Sequence, residues 1–239
     1  MKQQSRRLWG LLAAAGSGQR VGGREPKQYH LIAGRPVLGW SLQALLDVPE
    51  ITAVMVALAA DDGRAASVPE MQTPRVIRCT GGAERADTVR AGLEALQAAG
   101  AGDEDAVLVH DAARPAVHGE EIQRLIDGAL DDPAGGLLAL PCRDTLKRGG
   151  DDGRVSGTVS RVGIWQAVTP QLFPLQALRR ALAICKDDGV AVTDEAQAME
   201  YAGARPRLVE ARLTNIKYTW EGDAAWLARI LGSREAATP

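Results

Sequence analysis

A chain of 239 residues, 46% hydrophobic and 24% charged, is long enough for one large domain with an ordinary globular core. Its formal net charge of -2 argues against a nucleic-acid or membrane-surface partner, and no apolar run is long enough to cross a bilayer. Cys79, Cys142 and Cys185 lie far apart without a CxxC pair and read as reduced thiols of a cytoplasmic protein, while His30, His110 and His118 are too scattered for a zinc site.

The N-terminal MKQQSRRLWGLLAAAG couples basic residues to an apolar run, as a secretory leader does. The run breaks at Trp9-Gly10 and enters a glycine-rich loop, so it reads as the first strand instead. Leu8–Ala15 is that strand, and Pro36–Val48 carries Val37, Leu38, Leu42, Leu45 and Leu46 at helical spacing. Ile51–Ala59 and Arg75–Cys79 are strands, and Glu84–Ala99 is a helix with Val89, Leu93 and Leu96 on one face. Ala106–Val109, Glu120–Leu130 and Gly136–Leu140 continue as strand, helix and strand. This alternation predicts a Rossmann-like α/β fold: a mostly parallel twisted sheet with helices on both faces. It breaks over 143–162, where a polar stretch centred on GGDDG reads as a protruding β-hairpin. A lone hairpin is marginal in water, so packing against a second subunit is expected, with a mobile flap as the alternative. Pro174–Cys185 and Asp194–Ala202 read as helices, Arg207–Glu210 as a strand and Glu221–Leu231 as a last helix. The expectation is a single domain over 1–239 with 143–162 as its arm.

Ligands of open α/β sheets bind beyond the carboxyl ends of the strands. The loop AAAGSGQRVGGREPKQY leaves such an end, and its glycines let backbone N–H groups approach phosphate oxygens, with Arg20 and Lys27 adding positive charge. It is not a Walker A loop, because GxxxxGK[ST] is absent. Nor is it GxGxxG, because Val21 stands where the third glycine belongs. Asp61 or Asp62, ending the next strand, keeps a nicotinamide dehydrogenase open as a weaker reading. The lysine favours chemistry at a triphosphate, where charge builds on the phosphoryl oxygens. AVLVHDAARP delivers Asp111 to the same edge, as a carboxylate suited to Mg²⁺ or as a turn cap, with Arg114 three residues on. GGAERADTV supplies a third loop, opening a helix whose first turns carry Glu84, Arg85 and Asp87.

AAAGSGQR…PKQY, GGAERADTV, VLVHDAARP, LPCRDTLKR, TPQLF, VTDEA and NIKYT occur in order over nearly the whole chain. Together they resemble the 2-C-methyl-D-erythritol 4-phosphate cytidylyltransferases of the non-mevalonate isoprenoid pathway. The resemblance implies attack of the sugar phosphate on CTP with Mg²⁺ or another divalent cation, a homodimer, and arms exchanged between active sites. It implies that Ala14, Ala15, Gly16, Gly18, Gly82, Thr88, Asp111 and Ala112 hold the nucleotide, with Asp111 the candidate metal ligand. Arg20, Lys27 and Lys217 are the implied catalytic residues. Arg114, Thr145, Arg161, Thr169 and Thr193 are the implied acceptor contacts. Ala83 stands where family members often carry Asp, Thr214 where an acidic residue is common, and KYTWEGD departs from the usual start of the last helix. A ribitol 5-phosphate cytidylyltransferase is the alternative on the same scaffold. A nucleotide-binding module without turnover is the more remote one.

Overall fold

A computed structural model describes residues 6–16 and 25–235. The chain runs through β1 (Leu8–Ala13), the short pair β2 (Leu31–Ile32) and β3 (Arg35–Pro36), α1 (Val37–Leu46), β4 (Ile51–Leu58), β5 (Val76–Thr80) and α2 (Arg85–Ala98). It continues through β6 (Ala106–Asp111), α3 (Gly119–Ala129), β7 (Gly136–Pro141), β8 (Leu146–Gly149), β9 (Val155–Val159) and β10 (Trp165–Pro174). It closes with α4 (Leu175–Asp187), α5 (Glu195–Tyr201), β11 (Arg207–Glu210) and α6 (Asp223–Glu235).

Seven strands form one sheet in the order β11-β7-β10-β6-β1-β4-β5. All run parallel except β10, which is antiparallel to both of its neighbours. Apolar residues on successive positions of the central strands serve two faces, as burial on both sides of a parallel sheet requires. Leu8 and Leu12 pack with Leu38, Leu42 and Leu45 of α1 and Ile122, Leu125 and Ile126 of α3. Trp9 and Leu11 pack with Val89, Leu93 and Leu96 of α2, and with residues of α4 and α5. Gly92 lets α2 close on the sheet, because a Cβ there would lie 2.3 Å from Leu11 Cδ1. α6 folds back so that Leu227 and Leu231 meet Ile32, Val37, Trp40 and Tyr218.

The expected parallel strands and their helices are present with small changes at their ends. β10 is a correction, because no strand was expected between the hairpin and the helix near position 174. Two prolines and two glutamines interrupt WQAVTPQLFP, and proline is normally kept out of sheet interiors. The chain accommodates Pro170 where the β10–β7 register shifts, between Ala167 and Gln171. The 143–162 segment does form a hairpin, with β8 and β9 as their own two-stranded antiparallel sheet. Its turn is closed by Gly150 N–H to Arg154 O at 2.8 Å, with Gly153 at φ 74°.

Candidate active site

The main chain delivers three loops to one edge of the sheet. Ala14 N–H bonds to Ala57 O (2.9 Å), Ala112 N–H to Ala13 O (3.2 Å) and Gly81 N–H to Leu58 O (2.7 Å). Each bond continues strand pairing one residue past a strand end, and there the loops part. Between them lies a cavity of about 420 Å³. Its walls are Ala13–Gly16 after β1, Gly82–Arg85 and Thr88 at the start of α2, and Asp111–Ala113 after β6. Lys27, Gln28 and Lys217 complete the lining.

The two lysine segments are tied to this frame and to each other. Gln28 Nε2 donates to Ala14 O at 3.0 Å, fastening the Lys27–Tyr29 turn to the glycine loop. Tyr218 N–H donates to Ala113 O at 2.8 Å, and its hydroxyl pairs with His30 Nδ1 at 2.9 Å. Lys27 Nζ donates to Tyr218 O at 3.1 Å. On the opposite wall the Thr88 hydroxyl accepts from Gly82 N–H at 3.2 Å and contacts Glu84 O at 3.0 Å. That hydroxyl holds the shape of the 82–84 loop.

A chain of alternating charges runs from beneath the cavity into its lining. Glu195, 1% exposed, takes Arg85 on both oxygens, at 2.6 and 3.0 Å. Arg85 Nε donates to Asp111 Oδ1 at 2.9 Å, and Lys217 Nζ donates to Asp111 Oδ2 at 2.6 Å. Burial resists the charge on Asp111, but Arg85 and then Lys217 prevail and hold its carboxyl well below the usual carboxylate range. Burial pushes the Glu195 carboxyl up, with Arg85 pulling the other way.

Behind Asp111 lies a neutral hydrogen-bond chain. His110 Nε2 faces Arg114 O at 3.1 Å, and a carbonyl only accepts, so that nitrogen carries the proton. Nδ1 therefore accepts from the Thr169 hydroxyl at 2.9 Å, and that oxygen accepts Asp111 N–H at 3.1 Å. Burial pushes the pKa of His110 down to about 4, against the pull of Asp111, and keeps the ring neutral. Asn215 Nδ2 donates to Thr169 O at 3.0 Å, and Arg114 Nη1 donates to Asn215 O at 2.8 Å. The register shift in β10 aims Thr169 at this spot.

Of the residues singled out in the sequence, Ala14, Ala15, Gly16, Lys27, Gly82, Thr88, Asp111, Ala112 and Lys217 line the one cavity. Gly18 and Arg20 lie outside the described residues. Arg114 and Thr169 form the layer behind Asp111 rather than the lining. Thr193 is exposed and bonds to Gln197 Oε1. Thr145 and Arg161 sit at the hairpin, exposed, with the Arg161 guanidinium on Arg143 O. Sequence reasoning did not assign Arg85, Gln28 or Glu195 to the site. Arg85 stood in a loop already under suspicion, but only folding shows that its partner is Glu195.

A family model described as IspD: 2-C-methyl-D-erythritol 4-phosphate cytidylyltransferase matches residues 8–233. The chain belongs to the 2-C-methyl-D-erythritol 4-phosphate cytidylyltransferase family. It is 50% identical over 231 residues to the cytidylyltransferase of Ectopseudomonas mendocina (strain ymp), covering 97% of this chain and 98% of that one. It is 50% identical over 238 residues to that of Halorhodospira halophila (strain DSM 244 / SL1), covering 97% of each. Among solved structures, a 4-diphosphocytidyl-2C-methyl-D-erythritol synthase matches with TM-score 0.84 and 37% identity, over 95% of this chain and 100% of that one. The Francisella tularensis 2-C-methyl-D-erythritol 4-phosphate cytidylyltransferase matches with TM-score 0.81 and 30% identity, over 94% and 99%. Members of this cytidylyltransferase family are nucleotidyltransferases, so the chain is an enzyme of that class. Among the described residues no helix is long and apolar enough to cross a membrane.

Proposed function

We propose that the protein transfers a cytidylyl group from CTP to 2-C-methyl-D-erythritol 4-phosphate. The products are 4-diphosphocytidyl-2-C-methyl-D-erythritol and pyrophosphate, in non-mevalonate isoprenoid biosynthesis in the cytoplasm. The observation that carries this reading is that Lys27 and Lys217, from opposite ends of the chain, line one cavity at the carboxyl edge of the sheet.

The nucleophile needs no activation. A phosphate monoester has its second pKa at about 6, so the attacking oxygen is already ionised at neutral pH. The barrier is repulsion between two polyanions. The protein's work is to position them and neutralise charge as the α-phosphorus becomes five-coordinate. Backbone N–H groups of Ala15 and Gly16 face the triphosphate from the loop that Ala14 opens, and Gly18 is assigned to the same nucleotide set. Gly82, Thr88 and Ala112 border the cytosine and its sugar. Lys27, Lys217 and Arg20 bear on the α-phosphoryl oxygens. Arg114, Thr169 and Thr193 belong to the acceptor side.

Asp111 suits a divalent cation by donor type: a hard carboxylate beside the phosphates, as Mg²⁺ sites with one protein carboxylate and substrate oxygens are built. Its oxygens each carry one cationic hydrogen bond, and an ionised carboxylate has about four lone-pair sites, so room remains. When bound, Mg²⁺ supplies further neutralisation of triphosphate charge. Among the described residues no group of three or more His, Cys, Asp and Glu gathers as a metal cage, which fits a cation held chiefly by its nucleotide.

The whole chain acts as one domain with residues 143–162 as a dimer arm. Thr145 and Arg161 then reach the acceptor phosphate in the neighbouring subunit's site. Val155, Val162 and Ile164, exposed on and beside the hairpin, supply apolar surface for a partner to cover. Pyrophosphate release from CTP and Mg²⁺ is the direct test. Methylerythritol phosphate should support turnover and ribitol 5-phosphate should not. Equal or better turnover with ribitol 5-phosphate overturns the acceptor assignment. A thermal shift with NADH but none with CTP overturns the nucleotide assignment.

A further inference from the structure

The Glu195 carboxylate lies outside the cavity lining, is almost wholly buried, and spends both oxygens on one guanidinium. A buried charge is costly, and burial alone does not require one in this place. What Glu195 does is visible one bond further on. Arg85 has five N–H donors in a rigid fork. Glu195 takes one hydrogen from each terminal nitrogen and so fixes the plane of the guanidinium, and in that pose Nε reaches Asp111 Oδ1 alone. Oδ2 is thereby left for Lys217, at 2.6 Å.

From this chain of contacts we infer that Glu195 is a positioning residue for the transfer reaction: by occupying the Arg85 fork, it reserves one oxygen of Asp111 as the anchor that places the Lys217 ammonium. The inference rests on the reading of Lys217 as a catalytic group. Remove the Glu195 charge and the fork is released. A free guanidinium prefers a carboxylate side-on, through two parallel N–H···O bonds. Arg85 is then free to turn side-on to Asp111 and to compete with Lys217 for Oδ2. An ammonium has three donors. With one on Asp111 Oδ2 it is aimed, and two remain for substrate oxygens. With none it swings on a flexible four-carbon stem, and its transition-state contact becomes occasional. The Ala13–Gly16 segment and the Lys27 turn make no hydrogen bond to Glu195, and Arg85 and Asp111 change side-chain partners while their backbones stay in place at the cavity wall. The expected signature is a loss in kcat with little change in CTP binding.

The test is a double-mutant cycle on the full-length protein, read by pyrophosphate release at saturating CTP, Mg²⁺ and methylerythritol phosphate. CTP affinity is read separately by calorimetry. Glu195→Gln should lower kcat by roughly tenfold or more while the CTP dissociation constant moves by less than about threefold. In a Lys217→Ala background the same Glu195→Gln change should cost less than about twofold, because there is no ammonium left to place. Two results overturn the inference: a kcat for Glu195→Gln within about twofold of wild type, or an equal loss with and without Lys217, the additive outcome of a merely structural role. Full activity in Lys217→Ala alone is a different failure, and it removes the reading of Lys217 itself. If Glu195→Gln is insoluble, Glu195→Asp keeps the charge one methylene short of the fork, and the same cycle decides the question.

Discussion

Gly82→Ala tests the cavity wall and the helix behind it together. A Cβ on Gly82 would lie 2.2 Å from Asp87 Cβ, 2.9 Å from the Asp87 carbonyl carbon and 3.1 Å from its Cα. These atoms belong to the first turn of α2 or are fixed to it, so no side-chain rotation relieves the overlap. Either the 82–84 loop or the helix start must move. Overpacking of this kind costs about 1–3 kcal/mol. The movement also strains the two hydrogen bonds of the Thr88 hydroxyl, each worth about 1 kcal/mol net. The expected loss is roughly 2–4 kcal/mol, or a fall in the unfolding midpoint of roughly 4–16 °C for a chain of this size. Because the loop lines the cavity, CTP affinity should fall by about tenfold, the equivalent of roughly 1.4 kcal/mol. Circular dichroism melts and calorimetric CTP titrations read both quantities. Gly63→Ala is the control, since a Cβ there meets nothing within 4 Å. A Gly82→Ala protein with a midpoint within about 1 °C of wild type and unchanged CTP affinity refutes the packing argument.

Lys27→Ala should lower kcat by about 10²–10³ with an unchanged melt, because it removes one transition-state donor from the cavity lining rather than from the apolar core; steady-state pyrophosphate release checks it. A mixture of Lys27→Ala and Arg161→Ala proteins should recover part of the activity each lacks, since arm exchange makes some sites carrying both intact residues. Verified heterodimers without recovery contradict the exchanged arm. Asp105 accepts from Arg7 N–H, Arg7 Nε, Trp9 Nε1 and Gly102 N–H at 2.9–3.1 Å. Burial resists its charge, but those bonds, Trp9 first, hold its carboxyl below the ordinary range. A depressed folded-state pKa contributes stability that is present above the unfolded value of about 3.9 and lost as pH falls through the folded one. Asp105→Asn should therefore cost about 1–3 kcal/mol at neutral pH, and the gap to wild type should narrow below about pH 4 in urea melts.

The parallel half of the fold was legible because its strands are uninterrupted apolar runs. ITAVMVAL and AVLVHD need no partner to declare themselves, and the GGDDG turn announced the hairpin. β10 was not legible, because its strand character comes from being paired on both sides. Nothing local overrides the two prolines of WQAVTPQLFP. The site divides in the same way. Lys27 and Asp111 sit in segments whose type and spacing already pointed to phosphate chemistry, whereas Lys217 was reached only through the family resemblance of NIKYT. Glu195 stands 110 positions from the arginine it clamps, and ion pairing across such a distance leaves no periodic trace. Thr169 was expected as an acceptor contact; that its hydroxyl also joins His110 to Asp111 N–H is visible only once β10 is in register.

The hairpin leaves and rejoins the sheet at adjacent points, since Pro141 and Trp165 are register partners in β7 and β10. The excursion between them is thus a closed detour, entering and leaving through one gate. Its length and side chains can drift over evolutionary time without asking any core strand to shift, because loop length carries little thermodynamic penalty. On the proposed reading of the arm, recognition of the second substrate can in this way be renegotiated while the nucleotide chemistry stays put.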